Sequence, residues 1–222
     1  MLNIDGKQVE LFPALTPGAP LVVLNTVMGE GGAVVEAVKG MTDAGFSLAA
    51  VGSLRWSDDM TPWPIPPIAR REAPCGGLAD GYLDLLTRRI VPGVLEMLPG
   101  APGWIGLAGY SLGGLFALYA MYRVDLFARV ASVSGSLWYP GFVVYVQTHA
   151  PLRKPDRLYL SVGDREGNTK NALMRPVEDN TRLLAEHYRN AGIETALEMN
   201  PGGHFRDADR RMARGIAWML EA

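Results

Sequence analysis

Ser111 is the one serine of this 222-residue chain that stands in a G-x-S-x-G pattern, Gly109-Tyr110-Ser111-Leu112-Gly113. A serine hydroxyl is a weak nucleophile near neutral pH, so it needs a base within hydrogen-bond reach and an acid to orient that base. Where such a pattern closes a strand and opens a helix, the turn holds the serine proud of a sheet, in the chain order serine, then Asp or Glu, then histidine. The glycines let neighbouring backbone approach without Cβ clashes. His204, in "NPGGHF", fits that order as the base. His187 falls inside a polar helical stretch and His149 in a loop before a proline, which makes His149 a distant second. Two acids compete at the exit Gly163-Asp164-Arg165-Glu166, and by geometry either Asp164 or Glu166 could reach an imidazole. Asp179 stands at an expected helix start, where capping accounts for it. A tetrahedral oxyanion also needs preorganised N–H donors. Leu112, directly after the serine, supplies one, and Thr26 or Val27, after an early strand, the other.

The elements that must position these groups are visible as short apolar runs alternating with amphipathic stretches, the pattern of a mostly parallel sheet with crossover helices. The runs predict strands at 20–26, 46–52, 103–109, 129–135, 157–163 and 195–200. Tyr82, Leu86, Ile90 and Val94 share one face of an expected helix, as do Ala208, Met212 and Ile216 of another. Pro92 is expected to kink the first of them. Two long connections, 54–77 and 136–156, both follow a strand and so emerge at the carboxyl edge of the sheet, where open α/β folds hold ligands. The first holds five prolines and two tryptophans, and loops of such length are usually functional or disordered. The second carries Trp138 and Tyr139, aromatics that read as exposed pocket walls or, on the plainer reading, as core.

Length and balance suit one domain, 1–222, of α/β class in three layers. Hydrophobic residues at 48% and charged residues at 20% are those of a globular protein, and no apolar run approaches the roughly 20 residues a membrane span requires. A net charge of −2 gives no basic field for nucleic acid or anionic lipid. Cys75 is the sole cysteine, so no internal disulfide forms, and the three histidines lie too far apart in sequence to suggest a metal site. No metal and no cofactor are expected. The start, "MLNIDGKQVE", has no basic segment followed by an apolar one, so a cytoplasmic protein is expected.

The stretch "GYSLGGLFALYAMYRVDLFARVASVSGSLWYPGF" resembles the putative-esterase (esterase D-like) family of α/β-hydrolases, most closely its siderophore-esterase branch. The similarity runs over about 21–220, with "SGSLWY" and "GGHF" its most specific parts beyond the serine turn. The resemblance implies the α/β-hydrolase fold, Ser111 as nucleophile and His204 as base. It also favours Glu166 over Asp164, because the family's acid stands three residues beyond the glycine that leaves the strand. It places Arg55 near a substrate-binding arginine, Trp138 at a pocket wall and Tyr110 beside the substrate. Asn25-Thr26 replaces the family's usual His-Gly or Asp-Gly, and the strands before residue 20 are reduced to "KQVELF". The reading implied is a serine carboxylesterase acting on a small ester, aromatic or siderophore-like, through an acyl-enzyme. An acyltransferase with the same residues and a non-catalytic binding protein of hydrolase shape are the alternatives, and the sequence is silent on oligomeric state.

Overall fold

A computed structural model describes residues 1–27, 29–69 and 73–221. The strands are β1 (Leu2–Ile4), β2 (Lys7–Phe12), β3 (Leu21–Asn25), β4 (Ser47–Gly52), β5 (Pro64–Ile65), β6 (Cys75–Gly76), β7 (Ile105–Tyr110), β8 (Arg129–Val133), β9 (Arg157–Gly163) and β10 (Glu194–Asn200). The helices are α1 (Gly31–Lys39), α2 (Trp56–Asp59), α3 (Ala79–Leu85), α4 (Val91–Leu95), α5 (Leu112–Ala120), α6 (Phe142–Thr148), α7 (Val177–Asn190) and α8 (Ala208–Leu220). Eight strands form one sheet in the order β1-β2-β4-β3-β7-β8-β9-β10. From β4 to β10 neighbouring strands are parallel, and β1 and β2 add an antiparallel edge. All six expected strands are present.

β3 shows why these runs become inner strands. Leu21 and Val23 enter a core shared with α3 to α7, while Val22 and Leu24 enter a second core under α1 and α8. A strand covered on both faces has no place for a polar side chain, which is why it reads as a continuous apolar run. The result is three layers. The chain runs from β3 outward to β4 and then returns to β7 on β3's other side, so the strand order reverses between β3 and β7. The loops after those two strands diverge and leave a crevice between them.

Local chemistry accounts for the departures from the sequence reading. β1 was not expected; it pairs with β2 through Asp5-Gly6, both at positive φ (49° and 81°), the conformation that a tight two-residue hairpin turn demands. At Pro92, where a kink was expected, α3 runs without interruption into a π-helical turn, Leu86–Ile90, and then into α4; Pro92 stands in the first turn of α4, where its missing N–H costs least, and the π turn before it is the kind of feature at which helices bend. Connection 54–77 is not loop throughout: it contains α2 and the small hairpin of β5 with β6, and its residues 70–72 lie outside the described ones. In connection 136–156 the aromatics turn inward, with Tyr139 2% and Phe142 0% exposed. The two connections are tied together. Trp63 Nε1–H donates to the Pro140 carbonyl (2.9 Å) and the Tyr139 hydroxyl donates to the Trp63 carbonyl (2.6 Å). Among the described residues no helix is long and apolar enough to cross a membrane.

Candidate active site

Ser111 sits between β7 and α5 with φ 57° and ψ −122°, a strained conformation for a residue with a side chain. The two flanking glycines are needed for different reasons. A Cβ on Gly109 would lie 2.1 Å from the Gly113 carbonyl oxygen, whereas a Cβ on Gly113 would meet only the rim of the Trp56 ring, at 3.0 Å. The turn is held by the Ser111 N–H, which donates to Val133 O (3.2 Å), and by the Ser111 carbonyl, which accepts from the N–H of Ser136 (2.9 Å) and Leu115 (3.1 Å).

The Ser111 hydroxyl lies 3.0 Å from His204 Nε2, and His204 Nδ1 lies 2.7 Å from Glu166 Oε2. Glu166 thus joins the imidazole. Asp164 does not: its Oδ1 accepts the Gly202 N–H (2.6 Å) and so pins the histidine loop to the end of β9. These two loops touch so closely that a Cβ on Gly163 would fall 2.3 Å from the Gly202 carbonyl oxygen. Gly202 itself is at φ +97°, where glycine alone is at ease. Tyr110 steadies the same loop by donating its hydroxyl to the His204 carbonyl (2.5 Å). Burial pushes the Tyr110 phenol up, outweighing the contacts with Ser134 and Arg211 that lower it, and keeps it a donor.

Burial also works to raise the Glu166 pKa. The bond and the charge of His204, together with the Gly163 N–H (2.6 Å) and the Ser134 hydroxyl, outweigh it and hold the carboxyl below its ordinary value. An ionised Glu166 takes the Nδ1 proton as a hydrogen bond. Nε2 is then left to accept the proton of Ser111.

Leu112 is the first residue of α5, so its N–H belongs to the helical turn that has no intrahelical acceptors. Of the two candidates after β3, Thr26 donates its backbone N–H to the Val51 carbonyl (2.9 Å), which commits it to the sheet edge. Val27 is the other candidate. Its half-exposed side chain lines a cavity of about 380 Å³ that opens over Ser111 at the reversal point of the sheet. The buried side chains Leu24, Val34 and Met212 line this cavity together with the partly buried Trp56 and the exposed Phe205. Tyr110 also lines it, as do the carboxylates Glu30 and Asp209.

Arg55 and Trp138 are placed elsewhere. Arg55 caps α2, turns its guanidinium to Asp59 (3.3 Å) and does not line the cavity. Trp138 is buried against Tyr139, ring centroids 6.0 Å apart, and does not line it either. His149 ends α6, where its Nδ1 lies 2.9 Å from the Tyr145 carbonyl, and His187 lies on α7 against Tyr188. The sequence reading missed Phe205 and Arg211. Arg211 adjoins the apolar stripe of Ala208, Met212 and Ile216, and its only signal is that an arginine stands beside residues spaced for burial.

Sheet, helical layers and a serine on a strand-to-helix turn together define the α/β-hydrolase fold. The model of the family described as "Putative esterase" matches residues 47–210. The chain belongs to that family. Among curated proteins it is similar to the uncharacterized protein YbbA of Bacillus subtilis, 26% identical over 172 residues, covering 73% of this chain and 68% of YbbA. Among solved structures, an IroE-like serine hydrolase from Shewanella oneidensis superposes with a TM-score of 0.79 at 15% identity, over 96% of this chain and 75% of the other. The siderophore hydrolase EstB from Aspergillus nidulans does so with a TM-score of 0.71 at 19% identity, over 99% and 93%. These likenesses are of fold.

Proposed function

We propose that the chain is a serine carboxylesterase in which Ser111, His204 and Glu166 act as a triad on a small-molecule ester. The observation that carries this reading is the unbroken run of contacts from the Ser111 hydroxyl through both imidazole nitrogens to a buried carboxylate, at 3.0 and 2.7 Å. Ser111 Oγ attacks the ester carbonyl carbon as His204 Nε2 takes its proton. The N–H groups of Leu112 and Val27 receive the oxyanion. Collapse breaks the ester bond, His204 returns the proton to the leaving alcohol, and water, activated by the same imidazole, releases the acid from Ser111. The residues named carry every proton in this cycle.

The lining of the cavity favours an ester with an apolar acyl group. A siderophore-type ester enters as a candidate because EstB is described as a siderophore hydrolase. Arg55 and Trp138 have no part in holding substrate in this reading, while Tyr110 and Trp56 do. A fluorophosphonate probe tests the reading: it should label Ser111 in the folded protein, and Ser111→Ala should abolish both labelling and p-nitrophenyl ester hydrolysis. An unlabelled Ser111 in folded protein removes the esterase reading.

A further inference from the structure

Arg211 is 1% exposed, and it heads the largest fully buried side chains described. A buried guanidinium is costly unless its donors are satisfied and its charge is paired. Here Nη1 donates to Glu166 Oε1 (3.1 Å) and to the Ser134 hydroxyl (3.1 Å), while Nη2 donates to the carbonyls of Pro201 (3.1 Å) and Gly203 (3.0 Å). One fork therefore holds three things at once: the carboxylate oxygen that His204 does not use, the end of β8, and the backbone on the near side of His204. α8 can bring it so deep because Gly215, one turn further on, lies flat on the sheet. A Cβ there would be 3.0 Å from both Tyr159 and Val133.

We propose that Arg211 is a positioning residue for the reaction, whose guanidinium fork fixes the Glu166 carboxylate and the His204 loop in one mutual orientation. The proposal rests on the reading of Ser111, His204 and Glu166 as a triad. Arg211 does not touch the substrate. A planar fork with parallel donors can hold a carboxylate and two carbonyls in fixed directions, which a point-like ammonium cannot. Its positive charge also acts on the pair. Among the described residues, the charged and titratable groups that interact with Glu166 are His204 from the loop after β10, Tyr110 from the end of β7 and Arg211 from α8. Removing the guanidinium, whose Nη1 lies 3.1 Å from Glu166 Oε1, takes away a positive charge that favours the ionised carboxylate.

The test compares wild type, Arg211→Met and Arg211→Lys, with every rate divided by the concentration of sites titrated with a fluorophosphonate, so that lost folding does not enter. Arg211→Met should lower kcat about 10²-fold, the order of effect expected of a misplacement near 1 Å, while KM changes less than about threefold. The acid limb of its kcat/KM profile should move to higher pH. Arg211→Lys, which keeps the charge and loses the fork, should leave that limb in place and lower kcat about tenfold, an intermediate loss. Titrated sites of either variant turning over at the wild-type kcat overturn the proposal, as does an acid limb that stays put in Arg211→Met. If Arg211→Met does not fold, the Lys variant decides by the same rate criterion. Failure of the triad reading looks different, since wild-type Ser111 would then resist the probe.

Discussion

Glu166 and Asp164 leave the same turn two residues apart, yet one meets an imidazole and the other a backbone amide. Glu166→Gln keeps the shape but cannot hold the imidazole in the tautomer that accepts from Ser111, so kcat should fall about 10³- to 10⁴-fold. Asp164→Asn retains an oxygen for the Gly202 N–H and should stay within about tenfold of wild type. Steady-state hydrolysis of a p-nitrophenyl ester distinguishes them, and the opposite ranking would move the acid assignment to Asp164. The same carboxylate predicts a pH dependence of stability. Its folded-state pKa is held below the ordinary value near 4.5, so its contribution is fully present above that value and is lost as pH falls through the lower one. In urea unfolding the advantage of wild type over Glu166→Gln should therefore shrink below about pH 4. That the Ser111 and His204 side chains meet was legible from motif and chain order alone. Residue spacing left the acid open between two positions because both clear the strand, and only the turn's hydrogen bonds from Gly163 and Gly202 separate them. Arg211 was illegible for a different reason: hydrophobic period marks apolar faces and says nothing of a charged side chain satisfied inside.

At the scale of elements, the turn between β7 and α5 carries an asymmetry that can be measured. Gly109→Ala drives a methyl into the Gly113 backbone, which cannot yield without opening the turn, and should cost about 3 kcal/mol or more in urea unfolding. Gly113→Ala meets the rim of one tryptophan ring, which can swing aside. It should cost about 1 kcal/mol and act mainly on KM, since Trp56 is a cavity wall. Equal losses from the two would contradict this account of the turn. The inner strands were readable because burial on both faces leaves a run such as Leu21 to Leu24 no polar position. The connections were less so. Trp138 and Tyr139 are as apolar in sequence whether they face a ligand or the core, and their burial is seen only in tertiary contacts, the Tyr139 hydroxyl on the Trp63 carbonyl and the Trp138 ring against that of Tyr139.

Across the whole molecule, the cavity over Ser111 joins parts that are distant in sequence: the end of β3, the first turns of α1 and α8, and α2. Its buried apolar lining sets an expectation for substrate length. For p-nitrophenyl esters, kcat/KM should rise about fourfold for each methylene buried until the chain reaches Leu24, Val34 and Met212, then level off. Val34→Trp should flatten that rise without affecting the acetate ester, and a series with no dependence on length would argue against this cavity as the acyl site. The assembly has one more consequence, which concerns the order in which the molecule comes apart. Ser111 is anchored between two inner strands, β7 and β8, whereas Glu166 and His204 hang from β9 and from β10, the strand at the sheet's edge. Edge strands open before central ones. In rising urea, hydrolysis should therefore disappear while amide exchange still shows β7 closed: a serine intact on its turn, with its base and acid gone together because their loops are fastened to each other.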